Sequence, residues 1–197
     1  RVKIQIMQTY LDFILKKISP LKSQFKNKSI LVTGASGFIG KWIILLLLEL
    51  NTKYNYEIKI YFLTRNKKKF LKLNKEFNKC QIIFIENNIL NLDIKKYDFN
   101  FIFHLAGDLN KKNHNKLIQY DEIVTGSKIV FDYSKINNKV KILFLSSGAV
   151  YGNFEKKIYH KNSDTVDFNK VLHNTYAYGK LSAENYAKFL HSFNKSK

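Results

Sequence analysis

The chain has 197 residues, with 34 Lys and Arg against 15 Asp and Glu, for a formal charge of +19. That length suits one domain with a sizeable core, and 45% hydrophobic with 15% aromatic residues excludes a disordered polyelectrolyte. A single cysteine, Cys80, excludes an internal disulfide and fits a reducing compartment. Arg1 and Arg65 are the only arginines, and the lysines are scattered among asparagines and isoleucines. Dispersed lysine makes a solvated surface, whereas bidentate phosphate and base contacts come from arginine. The charge therefore does not point to a specific nucleic-acid partner. The apolar run Trp42–Leu48 is too short to span a bilayer, and Asp12, Lys16 and Lys17 interrupt any signal-peptide core. A cytoplasmic protein with no membrane span is expected.

Ile4, Met7, Leu11, Ile14 and Ile18 recur at spacings of three and four, which predicts an amphipathic helix over 3–18. Ser19-Pro20 ends it, and a basic link follows over 21–28, so residues 1–28 form an N-terminal helix and linker. The helix packs on its own domain or pairs with another subunit. Residues 29–197 then form the main domain. Ile30, Leu31 and Val32 read as a buried strand, followed by Gly34, Gly37 and Gly40 and an apolar helix containing Trp42–Leu48. A strand turning sharply into a helix aims free N–H groups and the positive end of a helix dipole at one point, which suits a pyrophosphate. Gly34 permits the tight turn, Gly37 the approach of phosphate to backbone, and Gly40 the packing of helix on strand.

Further strands are predicted over 58–63, 81–85, 101–105 and 140–145, with a basic helical or irregular stretch over 66–79. Helices are predicted over 115–136, with Leu117, Ile118, Ile123, Ile129, Val130 and Phe131 as core candidates, and over 175–193. Short apolar strands alternating with helices predict an α/β fold, a doubly wound, Rossmann-like parallel sheet with helices on both faces.

Three further segments lie where a dinucleotide site needs them. They are His104-Leu105-Ala106-Gly107 after the fourth strand, Ser146–Gly152 after the fifth, and Tyr176-Ala177-Tyr178-Gly179-Lys180 opening the last helix. Tyr176 and Lys180, four apart, share a helix face. A nearby ammonium favours the phenolate and draws the tyrosine pKa from about 10 toward neutrality. Such a tyrosine can take a proton from a sugar or alcohol hydroxyl while hydride leaves the same carbon, with Ser147 orienting that hydroxyl.

With these residues in place the chain resembles the extended short-chain dehydrogenase/reductases, the NAD-dependent epimerase/dehydratase family acting on nucleotide sugars. Gly34-Ala35-Ser36-Gly37-Phe38-Ile39-Gly40 matches the glycine motif, and His104–Gly107 the fourth-strand motif with a final Gly for the usual Ala. Ser147 with Val150-Tyr151-Gly152 matches the serine segment, Tyr176 with Lys180 the catalytic pair, and Glu184 a usual glutamate. Tyr178 competes with Tyr176, but Ser182, not lysine, lies four residues beyond it.

The resemblance implies Ser147, Tyr176 and Lys180 as catalytic residues and NAD or NADP as cofactor. It implies cofactor contacts from Gly34, Ser36, Gly37, Phe38, Ile39 and Gly40, from Thr64, Arg65 and Asn66, and from Asn88 and Ile89. Leu105, Ala106 and Gly107 join them, together with Tyr176 and Lys180. A nucleotide-sugar substrate and a homodimer of the full-length chain are expected, with no metal.

Several positions depart from the family pattern. Thr64 stands where NAD-binding members carry an acid after the second strand, and Arg65 with Lys67–Lys69 would neutralise a 2′-phosphate. Asn88 replaces an aspartate near adenine, and Ile123 replaces an asparagine. Sugar dehydratases and decarboxylases carry acids in the serine segment, where this chain has Gly148 and Ala149. An epimerase is therefore expected. The alternatives are a reductase, dehydratase or decarboxylase of the same family, or a non-catalytic dinucleotide-binding protein. The chain starts at Arg1 and stops shortly after the last helix, so a fragment is expected, with carboxyl-terminal strands and a substrate domain missing.

Overall fold

Five short apolar segments form one sheet in the order β3-β2-β1-β4-β5. The structure, a computed structural model, describes residues 2–107, 115–152 and 166–195. The strands are β1 (Ser29–Thr33), β2 (Lys59–Thr64), β3 (Ile83–Glu86), β4 (Phe101–His104) and β5 (Lys141–Phe144). The longer helices are α1 (Val2–Lys17), α2 (Phe38–Tyr54), α4 (Lys116–Asp132) and α6 (Thr175–Lys195). Two short ones, α3 (Lys67–Leu73) and α5 (Phe168–Leu172), lie between. Parallel registers join Val32 to Phe62, Val32 to Phe103, and Thr64 to Glu86. This order, with helical crossovers between parallel strands, is the doubly wound arrangement, whose ligands bind beyond the carboxyl ends of the strands.

The chain divides into two compact units. The first comprises Arg1–Asn88, Tyr97–Leu105 and Lys139–Leu143, and the second Ile89–Lys96, Ala106–Asn138 and Phe144–Lys197. In the first, Ile30, Val32, Ile60 and Phe62 from the central strands meet Ile44, Leu47 and Leu50 of α2 in one buried cluster. Leu15 of α1 joins the same cluster. Gln8 Nε2 donates to Glu49 Oε1 at 2.8 Å, and Lys53 pairs with Asp12 and Glu49. Exposed pairs of this kind add little stability, so burial of Leu11 and Leu15 is what holds α1 on α2.

In the second unit α4 lies along α6. A Cβ at Gly179 would stand 3.1 Å from Ile123 Cγ2, so the glycine sets how closely the helices approach. Ile123, Val130 and Phe131 are buried as expected, whereas Leu117 and Ile118 are 73% and 54% exposed. The buried stripe of α4 runs through Ile123, Gly126, Ser127, Val130 and Phe131. Continued one turn back it reaches the half-buried Gln119 and Tyr120. Leu117 and Ile118 fall off it because of the helical period.

Candidate active site

Within the first unit, β1 ends at Thr33, whose Oγ1 lies 2.7 Å from His104 Nδ1 at the end of β4, with both side chains buried. Leu105 N donates to Thr33 O at 3.2 Å, which keeps the two strand ends together. Gly34 follows with φ +65°, a conformation open to glycine at little cost. Gly37 N donates to Gly34 O at 3.0 Å and closes the turn. Gly37 then heads α2 with no side-chain cap. The first N–H groups of a helix have no intrahelical partner, so this turn presents donors and the positive helix end to whatever anion it meets. At Gly40 a Cβ would lie 2.5 Å from Gly34 O and 2.6 Å from Ala35 Cα, so only glycine lets helix and turn approach this closely. Ser36, Phe38 and Ile39 are exposed around the turn.

At the neighbouring strand ends Thr64 is buried, and its Oγ1 accepts from Asn66 N at 3.3 Å. Asn66 Oδ1 in turn accepts from Lys69 N at 2.7 Å and caps α3. Arg65 is exposed. Asn87 N extends the β2–β3 ladder to Thr64 O at 2.9 Å, and Asn88 N donates to Asn87 Oδ1 at 2.8 Å. Ile89 belongs to the second unit, where its side chain packs against Gly126.

The second unit holds Ser147, Tyr176 and Lys180 together. Ser147 Oγ accepts from Ala149 N at 3.2 Å, capping a 3-10 turn over Gly148–Tyr151, and the same hydroxyl lies close enough to the Tyr176 phenol to ease its ionisation. Lys180 is 1% exposed, with Nζ donating to Ala106 O at 3.0 Å and Leu145 O at 2.9 Å. The same Nζ lies 4.6 Å from the Phe144 ring centre and 5.9 Å from that of Tyr176. A Cβ at Gly107 would come within 3.3 Å of both Lys180 Nζ and Tyr176 Cε2, so the glycine that departs from the family's alanine makes room for the pair.

The electrostatics differ from the sequence expectation. Burial holds the Tyr176 phenol above its usual value, opposed by the nearby Ser147 hydroxyl. Burial also lowers the Lys180 ammonium to about 8, opposed by Glu184. The lysine spends two of its N–H groups on backbone carbonyls, and desolvation of the phenol wins. Tyr178 is committed elsewhere, with its ring stacked on Tyr120 at 5.5 Å and Phe168 meeting it edge-on. Tyr176 is therefore the tyrosine next to Ser147.

Ser146 received no role from the sequence, although it adjoins Ser147. Its Oγ is buried with no hydrogen-bond partner among the described residues. Only the tertiary structure could single it out, since burial without a partner is not a sequence signal.

The sequence profile of the NAD dependent epimerase/dehydratase family matches residues 30–195. No curated protein matches the chain. Among solved structures, the UDP-N-acetylglucosamine 4-epimerase of Methanobrevibacter ruminantium M1, in complex with UDP-N-acetylmuramic acid, is 27% identical with a TM-score of 0.67. That match covers 85% of this chain and 51% of the other. The dTDP-glucose 4,6-dehydratase of Bacillus anthracis, in complex with NAD, is 24% identical with a TM-score of 0.62, over 81% of this chain and 49% of that one. The ADP-L-glycero-D-manno-heptose-6-epimerase of Helicobacter pylori is 21% identical with a TM-score of 0.62, over 82% and 50%. The latter two likenesses are likenesses of fold. The chain spans about half the length of each of these structures. No helix among the described residues is long and apolar enough to cross a membrane. With the profile covering most of its length, the chain belongs to the NAD dependent epimerase/dehydratase family.

Proposed function

We propose that the full-length protein is an NAD-dependent nucleotide-sugar epimerase that oxidises one sugar hydroxyl and restores it with the opposite configuration. One observation carries this reading: Ser147, Tyr176 and Lys180 stand together, and the residues directly after the serine are Gly148 and Ala149, with no acid to drive an elimination. Support for the substrate class comes from the names of the epimerases and the dehydratase that the chain resembles.

The first unit fits a dinucleotide by its own geometry. Gly34 takes a positive φ, α2 starts without a side-chain cap, and a Cβ at Gly37 would stand 3.2 Å from Gly34 O. Gly34, Ser36, Gly37, Phe38, Ile39 and Gly40 would hold the pyrophosphate. Thr64, Arg65 and Asn66 would hold the adenosine ribose, and Asn88 with Ile89 the adenine. Leu105, Ala106 and Gly107, with Tyr176 and Lys180, would serve the nicotinamide end. Held there, the dinucleotide would supply reversible hydride chemistry at the hydroxyl-bearing carbon.

The chain's own residues handle the proton. Ser147 orients the sugar hydroxyl beside the Tyr176 phenol. Tyr176 takes the hydroxyl proton as the carbon–oxygen double bond forms, and gives it back when the carbon is reduced. Burial disfavours the phenolate, so the base form needs positive charge nearby. Lys180, cationic below its lowered pKa of about 8, brings that charge on a side chain anchored to two carbonyls.

The test uses full-length protein. Tyr176→Phe should lower turnover by roughly a thousandfold, within the usual range for a general acid–base group, while the dinucleotide still binds. Unchanged turnover refutes the mechanism. Net consumption of reduced cofactor by the parent would identify a reductase instead, because an epimerase returns its cofactor unchanged.

A further inference from the structure

We propose that Glu86, at the end of β3, sets the preference for NAD over its 2′-phosphorylated form. The proposal rests on the dinucleotide reading above and concerns its adenosine end.

A carboxylate at the end of β2 is the usual means of holding ribose hydroxyls, but this chain has Thr64 there, buried, with its Oγ1 turned to Asn66 N. The parallel register sets Glu86 directly beside Thr64 on the next strand. From that exposed position the Glu86 carboxylate reaches the β2–α3 turn, where Oε1 accepts from Lys67 N at 3.3 Å. Asn66 Oδ1 fills a second N–H of the same turn, that of Lys69. Two backbone donors of this turn are therefore taken by the chain's own acceptors, one of them anionic and placed to offset the exposed Arg65 guanidinium.

The basic run Lys67–Lys69 is also weaker than its sequence suggests. Lys67 Nζ lies 5.0 Å from the Phe84 ring centre, drawn along β3 by a cation–π contact. The ammonium groups of Lys68 and Lys69 are exposed on flexible four-carbon stems, whereas the Glu86 carboxylate is fixed to the turn by Lys67 N. A carboxylate held in the turn repels a phosphate dianion and offers an acceptor to a ribose hydroxyl. Glu86 thus performs from β3 the task that an acid on β2 would perform.

The experiment is calorimetric titration of full-length protein with NAD and with NADP, for the parent and for Glu86→Gln. Glutamine keeps an acceptor for Lys67 N and removes only the charge. The parent should bind NAD more tightly. Glu86→Gln should tighten NADP by about tenfold, as expected for removing one charge from a partly solvated site, and leave NAD within about threefold. Raising the salt should shrink the parent's discrimination. An NAD-to-NADP affinity ratio that is the same in parent and variant overturns the role of Glu86 while leaving the dinucleotide site standing. A parent that prefers NADP overturns it as well. A parent that binds neither nucleotide overturns the dinucleotide reading itself, and this proposal with it.

Discussion

Gly40→Ala is the substitution whose cost can be worked most directly from the structure. The new Cβ would stand 2.5 Å from Gly34 O, 2.6 Å from Ala35 Cα and 2.9 Å from Ala35 C. All three are backbone atoms of the turn between β1 and α2, so no side chain can rotate out of the way. Reaching ordinary contact requires helix and turn to part by about 1 Å, and overpacking of this kind costs roughly 1–3 kcal/mol or more. Alanine recovers up to about 1 kcal/mol through its better helix propensity. The net loss should be about 2 kcal/mol, a fall in melting temperature of a few degrees in a protein of about 200 residues or more. Gly37→Ala is the internal control. Its Cβ meets Gly34 O at 3.2 Å and its φ is −73°, so stability should change by well under about 1 kcal/mol. Thermal and urea unfolding of both variants in full-length protein check this. If Gly40→Ala melts with the parent, close approach of α2 to the turn is not what the glycine provides.

Two further outcomes follow from burial. Lys180 has its folded-state pKa lowered from 10.5 to about 8, so between those values the unfolded chain holds a proton that the folded chain has released. Stability should therefore rise with pH across that window, by on the order of 3 kcal/mol, and Lys180→Gln should lose the rise when melts at neutral and alkaline pH are compared. An equal pH response in parent and variant would refute the buried ammonium. On α4, Phe131 is 5% exposed and meets Phe144 edge-on at 5.3 Å, whereas Leu117 is 73% exposed. Urea unfolding should show Phe131→Ala costing about 3–4 kcal/mol and Leu117→Ser changing stability by no more than about 0.5 kcal/mol. Equal losses would contradict the placement of the helix stripe.

The sequence carried much of the fold because its signals are local. Strand residues such as Ile30–Val32 and Phe101–Phe103 are apolar over short runs, and α2 and α6 keep a helical period, so the alternation of strands and helices was legible without any distant contact. The glycine turn was legible for the same reason, since positive φ at Gly34 and the absence of a Cβ at Gly40 are demands of neighbouring backbone. Leu117 and Ile118 misled because composition marks them as core, whereas burial follows the phase of the stripe through Ile123 and Val130.

What the sequence determined by itself was the alternation of elements, the turn at Gly34–Gly40 and the spacing that puts Tyr176 and Lys180 on one helix face. Tertiary structure alone decided that Lys180 anchors to Ala106 O and Leu145 O, that burial holds the Tyr176 phenol up, and that Glu86 stands beside Thr64. The reason is physical. Helical spacing and backbone sterics act between near neighbours in the chain, whereas desolvation and strand register depend on groups that only folding brings together.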